Sequence, residues 1–190
     1  NYRGSGRKGV AFSKADHDDL GGMEFEDVLS GIDHLVAEGI VDNNKVGTGG
    51  WSYGGYFSAL AATKYTDRFK ASMVAAGLTN MISFTGTTDI PYEMSVVHWN
   101  QWWFDNPELH WERSPISHIN MAHTPTLIIH GLKDDRVHPE QSMELWQALR
   151  IKGVDTELVL YPREPHGLIE RAHKLDYMDR LVGWYKKYVK

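Results

Sequence analysis

The chain contains no cysteine among its 190 residues. This absence excludes disulfide bonds, a thiolate nucleophile and cysteine-ligated metal, although it does not assign a compartment. No run of apolar residues approaches the length of a membrane span, and the polar, glycine-rich start at residues 1–8 lacks the pattern of a secretory signal. The formal net charge of −5 gives no reason to expect nucleic acid or an anionic membrane as a partner.

What remains is the composition of an ordinary globular domain. Hydrophobic residues make up 42% of the chain and charged residues 24%, which argues against disorder. A chain of this length suits one domain that buries roughly 70% of the surface of the unfolded state. Because no internal repeat, low-complexity tract or linker interrupts the sequence, residues 1–190 are expected to form a single unit.

The segment at residues 46–56 is the most informative in the chain. A short strand pattern leads into Gly50-Trp51-Ser52-Tyr53-Gly54, and a helix of small and apolar residues follows. Strand, Gly-x-Ser-x-Gly and helix in this order are typical of the nucleophile elbow of an α/β-hydrolase. We expect a Cβ atom at Gly50 or Gly54 to collide with neighbouring backbone, and Ser52 to occupy a sparsely populated backbone conformation.

Strand and helix patterns alternate along most of the chain. The predicted strands are 45–49, 69–75, 125–131 and 156–161, and the predicted helices are 25–36 with Gly39 as the C-terminal cap, 56–63, 139–153 and 175–189. This alternation predicts a mostly parallel sheet with helices on both faces, the α/β class. Residues 79–124, rich in Trp and polar turns, look like an insertion over the active edge of the sheet.

The order of the strands places two catalytic partners for the serine. Asp134 and Asp135 follow the third predicted strand, and His166 follows the fourth. In this architecture the acid and the histidine come after the serine, on loops at the carboxyl ends of strands. Ser52 is predicted as nucleophile and His166 as general base, with one aspartate orienting the imidazole. The alternative is that the aspartates cap a turn and His166 is a surface residue.

Four sequence blocks together resemble the catalytic domain of the prolyl oligopeptidase family of serine peptidases. They are Asn-Tyr-Arg-Gly-Ser at 1–5, Gly-Trp-Ser-Tyr-Gly-Gly-Tyr at 50–56, His-Gly-x-x-Asp-Asp-Arg-Val at 130–137 and Pro-His-Gly at 165–167. The resemblance covers essentially the whole chain. The four blocks match the acylaminoacyl-peptidase and the dipeptidyl-peptidase branches about equally well, so the preference for a scissile bond stays open.

The resemblance implies roles for individual residues. It makes Asp134 the triad acid, with Asp135 as the rival, and the backbone N–H of Tyr53 one donor of the oxyanion hole. Arg136 matches an arginine that holds a peptide carbonyl of the substrate in some members. The alternative for Arg136 is a surface ion pair with a neighbouring carboxylate.

The chain departs from the family at its beginning. Only the tail of a strand, around Asn1 and Tyr2, is expected before the first helix, whereas the family places several strands and a large β-propeller there. The prediction is therefore the C-terminal part of an α/β-hydrolase domain, lacking its first strands and without a propeller. The edge of the elbow strand would then be exposed, and it could pair with a strand from a second copy or from a missing N-terminal portion. Tyr2 is not expected to act as the family's tyrosine oxyanion donor, because its position in the motif differs.

Several residues are candidates for a substrate pocket. Tyr53 and Tyr56 lie beside the nucleophile, and Leu78, Met81 and Phe84 are further candidates. The insertion contains six aromatic residues, which could line this pocket or meet another domain. We favour a third interpretation, in which they pack the insertion onto the sheet. They are Tyr92, Trp99, Trp102, Trp103, Phe104 and Trp111.

The ten histidines do not suggest a metal site. His98, His110, His118 and His123 lack helical i, i+4 pairing and any ligand pattern supported by carboxylates. His130, at the end of a buried strand, is predicted to be a structural hydrogen-bonding residue. We expect neither a metal nor a cofactor.

Three functions are compatible with these features. The first is a serine peptidase that hydrolyses short peptides through an acyl-enzyme, and the second is a carboxylesterase with the same triad. The third is a non-catalytic fragment that assembles through its exposed sheet edge. The sequence leaves the compartment and the oligomeric state open.

Overall fold

Four parallel strands form the centre of the computed structural model, which describes residues 1–190. The strands are β1 (Gly47–Trp51), β2 (Ala71–Ala75), β3 (Thr126–Gly131) and β4 (Thr156–Tyr161), and they lie side by side in chain order. In register, Gly50 pairs with Val74, Val74 with Ile128, and Ile128 with Leu158. Because all four strands run in one direction, their carboxyl ends meet at one edge of the sheet.

Seven α-helices and several shorter helical segments surround the sheet. The α-helices are α1 (Val10–Ser13), α2 (Met23–Ala37), α3 (Tyr53–Thr63), α4 (Met81–Thr87), α5 (Pro107–Glu112), α6 (Glu140–Ile151) and α7 (Arg171–Tyr188). The 3₁₀ segments are Asn43–Lys45, Thr66–Arg68 and Pro115–Met121, and Glu93–His98 is a π-helical turn. None of the helices combines the length and the apolar character that crossing a membrane requires.

The helices cover both faces of the sheet, as the alternating pattern predicts. On one face Val74 and Ile128 pack with Ala59 of α3 and Leu145 of α6. On the other face their neighbours in the strands pack against α7, in a cluster that contains Met73, Leu127, Ile129, Tyr161 and Trp184. Successive strand residues point to opposite faces, so this division follows directly from the two buried apolar runs of β2 and β3.

The elbow strand β1 lies at an edge of the sheet, as predicted. Gly47 and Gly49 are exposed, whereas every residue of β2 and β3 is buried. The prediction of a strand tail at Asn1 and Tyr2 is wrong. There the Ser5 N–H donates to the Tyr2 carbonyl oxygen at 3.2 Å, so the backbone closes a turn instead of joining a ladder.

Other differences concern element boundaries. Strand β1 begins two residues later than predicted, because Asp42 accepts the Asn44 N–H at 2.9 Å and holds a 3₁₀ turn before the strand. Helix α3 begins at Tyr53 and α7 at Arg171, each earlier than their apolar patterns indicate.

The insertion packs onto the body of the protein through only some of its aromatic residues. Trp99 is fully buried, with its ring centroid 4.7 Å from that of His110. Tyr92, Phe104 and Trp111 are exposed, so the preference for packing is correct for Trp99 and wrong for these three. Phe104 extends from a turn, whereas Tyr92 and Trp111 lie in short helical segments whose outer faces meet solvent.

Candidate active site

Ser52 sits in a strained turn between β1 and α3. Its backbone has φ 60 and ψ −116, a region that non-glycine residues rarely occupy, at a cost of order 1–3 kcal/mol. Two backbone hydrogen bonds hold the turn, from the Ser52 N–H to the Ala75 carbonyl and from the Tyr56 N–H to the Ser52 carbonyl, both 2.9 Å. The predicted strain at the serine is therefore present.

The glycines of the elbow serve close backbone packing, but not at both predicted positions. A Cβ atom at Gly50 would lie 2.5 Å from the carbonyl carbon of Gly54. The prediction for Gly54 itself is wrong, because a Cβ atom there would meet nothing within 4 Å. The second tight position is Gly55, where a Cβ atom would lie 2.5 Å from the Ala75 carbonyl oxygen and 2.7 Å from the Gly77 Cα. Position 55 therefore requires a residue without a Cβ atom, because β2, which is distant in sequence, passes close to it.

The structure brings Ser52, His166 and Asp134 into one hydrogen-bonded chain. The distance from Ser52 Oγ to His166 Nε2 is 2.9 Å, and from His166 Nδ1 to Asp134 Oδ2 it is also 2.9 Å. These three residues come from the loops that follow β1, β3 and β4, whose ends meet at one sheet edge. The side chain of Asp134 is fully buried and that of His166 is 30% exposed.

Asp134 is held as a buried carboxylate. Burial alone acts to raise the pKa of Asp134, but hydrogen bonds from His130, His166 and the Val137 N–H outweigh it and keep this pKa well below its usual range. The rival Asp135 is exposed and offers only its backbone carbonyl, to the Asp89 N–H at 3.1 Å. Asp134 and not Asp135 therefore contacts the histidine.

The loop that carries His166 is tied to the end of β1 and to the loop that follows β3. The indole Nε1 of Trp51, just before Ser52, donates to the His166 carbonyl oxygen at 2.5 Å. The Lys133 N–H, in the loop of the acid, donates to the Glu164 carbonyl oxygen at 2.8 Å. The loop of His166 is therefore held by one backbone hydrogen bond and one indole hydrogen bond, in addition to the contacts of Ser52, His166 and Asp134.

The buried carboxylate of Glu164 holds the second half of the same loop. It accepts the N–H groups of Ile169 and Glu170 at 2.6 and 2.9 Å, and His173 Nδ1 lies 2.6 Å away. Glu164, Glu170 and His173 have the donor types of a metal site. Both oxygens of Glu164 already accept hydrogen bonds, and Arg163 binds both oxygens of Glu170 at 2.8 Å. The carboxylates of this cluster therefore have hydrogen-bond donors within the protein and hold the loop in place.

An apolar cavity of about 270 Å³ opens beside Ser52. Its walls are Ser52, Tyr53, Leu78, Phe84, Ile90, Glu93, Met94, His98, Arg136 and Val137. The polar members Glu93 and His98 are partly exposed, with 4.0 Å between the Glu93 carboxylate and His98 Nε2. The cavity therefore offers an apolar lining with charged and polar groups at its opening.

Arg136 forms the ion pair that the sequence offers as one alternative, and it also lies at the cavity. Its Nε lies 2.5 Å and its Nη2 3.3 Å from the two carboxylate oxygens of Asp89, so it forms an ion pair. It also lines the cavity beside Ser52. The hydrogen bonds that Arg136 donates to the Asp89 carboxylate raise the pKa of Arg136 above its ordinary value, so the guanidinium stays charged.

Tyr56 does not border the cavity, and this prediction is wrong. The side chain is fully buried, and its hydroxyl donates to the Leu20 and Arg113 carbonyls at 3.1 and 2.8 Å. Three residues after Tyr53 on α3, it faces the core below the helix instead of the cavity. Met81 is likewise a core residue, whereas Leu78 and Phe84 line the cavity as suggested.

Tyr53 contributes both its backbone and its side chain to the site. As the first residue of α3, its N–H has no acceptor within the helix, and it directly follows Ser52. The Tyr53 hydroxyl donates to the buried carboxylate of Glu24, which also accepts the Gly21 N–H at 2.6 Å. Burial raises the pKa of Tyr53 well above its ordinary value and that of Glu24 to about 7.

Sequence reasoning missed half of the cavity wall. Ile90, Glu93, Met94 and His98 lie in the insertion, and Val137 follows the acid loop. Ile90 and Met94 have the i, i+4 spacing of one helix face, which is the only local signal that they act together. The π-helical turn, which carries Glu93, Met94 and His98 but not Ile90, has no periodic pattern of its own.

The parallel sheet, the helices on both faces and the elbow define the α/β-hydrolase fold. Within that fold, the sequence pattern of the prolyl oligopeptidase family matches residues 1–190. The chain therefore belongs to the prolyl oligopeptidase family.

Individual relatives agree with this assignment. The chain is 33% identical over 193 residues to the uncharacterized peptidase YuxL of Bacillus subtilis, covering 100% of this chain and 29% of that protein. It is 28% identical over 198 residues to acylamino-acid-releasing enzyme 1 of Oryza sativa subsp. japonica, covering 100% of this chain and 26% of the enzyme. An acylaminoacyl peptidase solved in complex with Z-Gly-Gly-Phe-chloromethyl ketone superposes with a TM-score of 0.89 at 27% identity, over 100% of this chain and 31% of that one. The chain thus spans less than a third of the length of each relative.

Proposed function

We propose that this chain carries the catalytic site of a serine peptidase that hydrolyses short peptides through an acyl-enzyme. The observation that supports it is the hydrogen-bonded chain from Ser52 through His166 to Asp134, with 2.9 Å in each step, at the end of a strained elbow. Nucleophile, base and orienting acid within hydrogen-bond reach are the arrangement that activates a serine hydroxyl.

The reaction begins with attack by Ser52 Oγ on the carbonyl carbon of the scissile amide. His166 Nε2 takes the hydroxyl proton, and Asp134 stabilises the resulting imidazolium. The N–H of Tyr53 donates to the oxyanion of the tetrahedral intermediate, where the amino end of α3 also places positive partial charge. The imidazolium then protonates the departing amine, and water deacylates the serine by the same steps.

The lining of the cavity suggests which substrate side chain is preferred at the residue whose carbonyl carbon is attacked. Phe84, Met94 and Val137 give it an apolar lining beside Ser52, so a large apolar side chain at this position gains most from burial. The related acylaminoacyl peptidase binds a chloromethyl ketone that ends in Phe. Arg136, charged and at the same cavity, supplies N–H donors for a peptide carbonyl of the substrate.

Hydrolysis of peptide p-nitroanilides tests this function. We expect cleavage after Phe or Leu to be faster than after Asp, and Ser52→Ala to lower kcat by roughly 10⁶-fold. Matching esters serve as the second series. Cleavage of esters without amides would favour the carboxylesterase, and no turnover of either by a folded protein would favour a non-catalytic role.

We also propose that the edge of β1 pairs with a further strand, either in a second copy or in another part of a longer chain. The exposed backbone of Gly47 and Gly49 supports this, because unpaired edge groups favour strand addition. Sedimentation velocity over a wide concentration range measures self-pairing. A single monomeric species at every concentration would contradict pairing between copies.

A further inference from the structure

A second buried imidazole lies behind the carboxylate of the triad. His130 is in β3 and is completely buried. Its Nε2 lies 3.1 Å from Asp134 Oδ2 and 2.7 Å from the Val137 carbonyl oxygen. Its Nδ1 lies 2.6 Å from Ser142 Oγ, in α6. The chain of hydrogen bonds that starts at Ser52 therefore continues past the aspartate.

The partners of His130 fix where its proton is. The Val137 carbonyl oxygen can only accept a hydrogen bond, so His130 Nε2 must carry hydrogen. In the neutral ring Nδ1 is then an acceptor, and the Ser142 hydroxyl donates to it. The same Nε2–H group faces Asp134 Oδ2, so His130 acts as a donor to the triad carboxylate.

This donor completes the set around Asp134. The Arg136 and Val137 N–H groups donate to Oδ1 at 3.0 and 2.9 Å, while His166 and His130 share Oδ2. Both Asp134 and His130 have fully buried side chains, so water has no access to replace a lost donor. The plane of the carboxylate is thus fixed from two sides, and one of these sides depends on His130.

We propose that His130 is a positioning residue that holds Asp134 in the orientation required by His166. The proposal rests on the serine hydrolase function above. His130 neither lines the cavity nor contacts Ser52, so any effect on the reaction passes through Asp134 or through the Val137 carbonyl that it also binds. Without its donor, Asp134 Oδ2 keeps a single fixed partner and can rotate away from His166 Nδ1.

Two substitutions of similar size separate this role from packing. His130→Gln keeps an N–H donor at the position of Nε2, and His130→Asn offers its amide only at the position of Nδ1. We expect His130→Asn to lower the rate of inactivation by a fluorophosphonate about 10- to 100-fold, as small displacements in catalytic geometry do, and His130→Gln to retain most of that rate. Ser142→Ala, which leaves His130 in place but removes its Nδ1 partner, is expected to have an intermediate effect.

His110 provides the matched control. It is equally buried but packs on Trp99, and its Nδ1 contacts the Asn106 carbonyl at 3.1 Å, away from the triad. We expect His110→Asn to lower thermal stability without changing the inactivation rate. Equal slowing by His110→Asn and His130→Asn would assign the effect to lost stability and contradict the proposal.

A proton NMR measurement gives a readout that does not need turnover. We expect the hydrogen between His166 Nδ1 and Asp134 to resonate at low field, and to broaden or shift in His130→Asn but not in His130→Gln or His110→Asn. A wild-type protein that folds without reacting with the fluorophosphonate would contradict the proposed function, and this resonance would still test the positioning role. An unchanged resonance and an unchanged rate in His130→Asn would overturn the role of His130 alone. If His130→Asn fails to fold, Ser142→Ala decides by the same two readouts.

Discussion

The two sides of Ser52 are built in opposite ways. On the acid–base side, formed by residues 132–137 and 162–167 after β3 and β4, buried carboxylates accept several hydrogen bonds each. On the pocket wall, formed by residues 78–98, the lining residues Leu78, Phe84 and Met94 are buried apolar side chains without side-chain hydrogen bonds. Between and beside them, Tyr92 is 72% exposed and Val96 and Val97 are about half exposed. The wall also contains a π-helical turn, an element that often occurs at functional sites.

This difference separates reaction chemistry from recognition. The acid–base side fixes side chains by saturated hydrogen bonds at strand ends, where a small displacement is costly. The pocket wall uses side-chain volume on an irregular segment, which tolerates substitution better. Substitutions on the acid–base side should therefore lower the rate for every substrate, whereas those on the wall should change the choice of substrate.

After loss of the nucleophile itself, the largest effect is expected from Asp134→Asn. The amide places an NH₂ group among donors and fails to stabilise the imidazolium, so kcat should fall by about 10⁴-fold for peptides and esters alike. The control is Asp135→Asn, one residue away but exposed and not in contact with His166. Steady-state kinetics of both variants decide between them. A greater loss in Asp135→Asn would show that the acid has been misassigned.

A smaller and selective effect is expected from Phe84→Ala on the pocket wall. Removing this ring enlarges the cavity, so kcat/KM after Phe or Leu should fall by roughly 10- to 100-fold, the effect of about 1–3 kcal/mol of lost apolar contact. Substrates with Ala at that position should change little. The comparison uses one panel of p-nitroanilides for both enzymes. A uniform loss across the panel would mean that Phe84, which is also part of the buried core, acts through stability and not through the pocket.

Arg136 belongs to the acid–base side by position but also lines the cavity, so a change there tests whether it serves binding or the reaction step. Arg136→Lys keeps the charge but loses the forked contact with Asp89, so KM for peptides should rise by about tenfold while kcat changes little. Asp89→Asn is the companion variant, because it releases the guanidinium without removing it. Measured KM and kcat separate binding from chemistry. A fall in kcat with constant KM would assign Arg136 to the reaction step.

The smallest effect concerns stability and its pH dependence at Glu24. Burial raises the pKa of Glu24 from 4.5 to about 7, so the folded state holds this proton to higher pH than the unfolded state. Stabilisation by the neutral carboxyl is complete below pH 4.5 and is lost as the pH rises towards 7, by roughly 1–3 kcal/mol. Glu24→Gln should remove this decline.

Urea unfolding between pH 4 and pH 8 measures the difference between wild type and Glu24→Gln. The exposed Glu26→Gln, two residues along the same helix, controls for the change in charge. A wild-type stability that rises relative to Glu24→Gln over this interval would mean that Glu24 is ionised and favourably paired in the folded state.

Local patterns were sufficient to predict the acid–base side. The elbow, the strands β3 and β4 and the residues that follow them are marked by short runs of glycine and apolar residues. Because parallel strands deliver their ends to one edge, predicting the strands already brings Ser52, Asp134 and His166 together. The choice between Asp134 and Asp135 needed either the family resemblance or the structure, since both follow the same strand.

Long-range packing explains what the sequence did not reveal. Gly55 rather than Gly54 is tight because β2 passes beside it, and Tyr56 is buried because Leu20 and Arg113 accept its hydroxyl from distant segments. The pocket wall residues Ile90 and Met94 face Ser52 only through the path of an irregular turn. None of these relations has a local pattern.

Intact mass after incubation with a fluorophosphonate tests the central claim most directly, because the reagent bonds only to a serine that its neighbours activate. Wild type should gain one adduct, mapped to Ser52 by peptide analysis, and Ser52→Ala should gain none. A folded wild type that stays unmodified, or an adduct that persists in Ser52→Ala, would contradict the assignment of Ser52, His166 and Asp134 as a working triad.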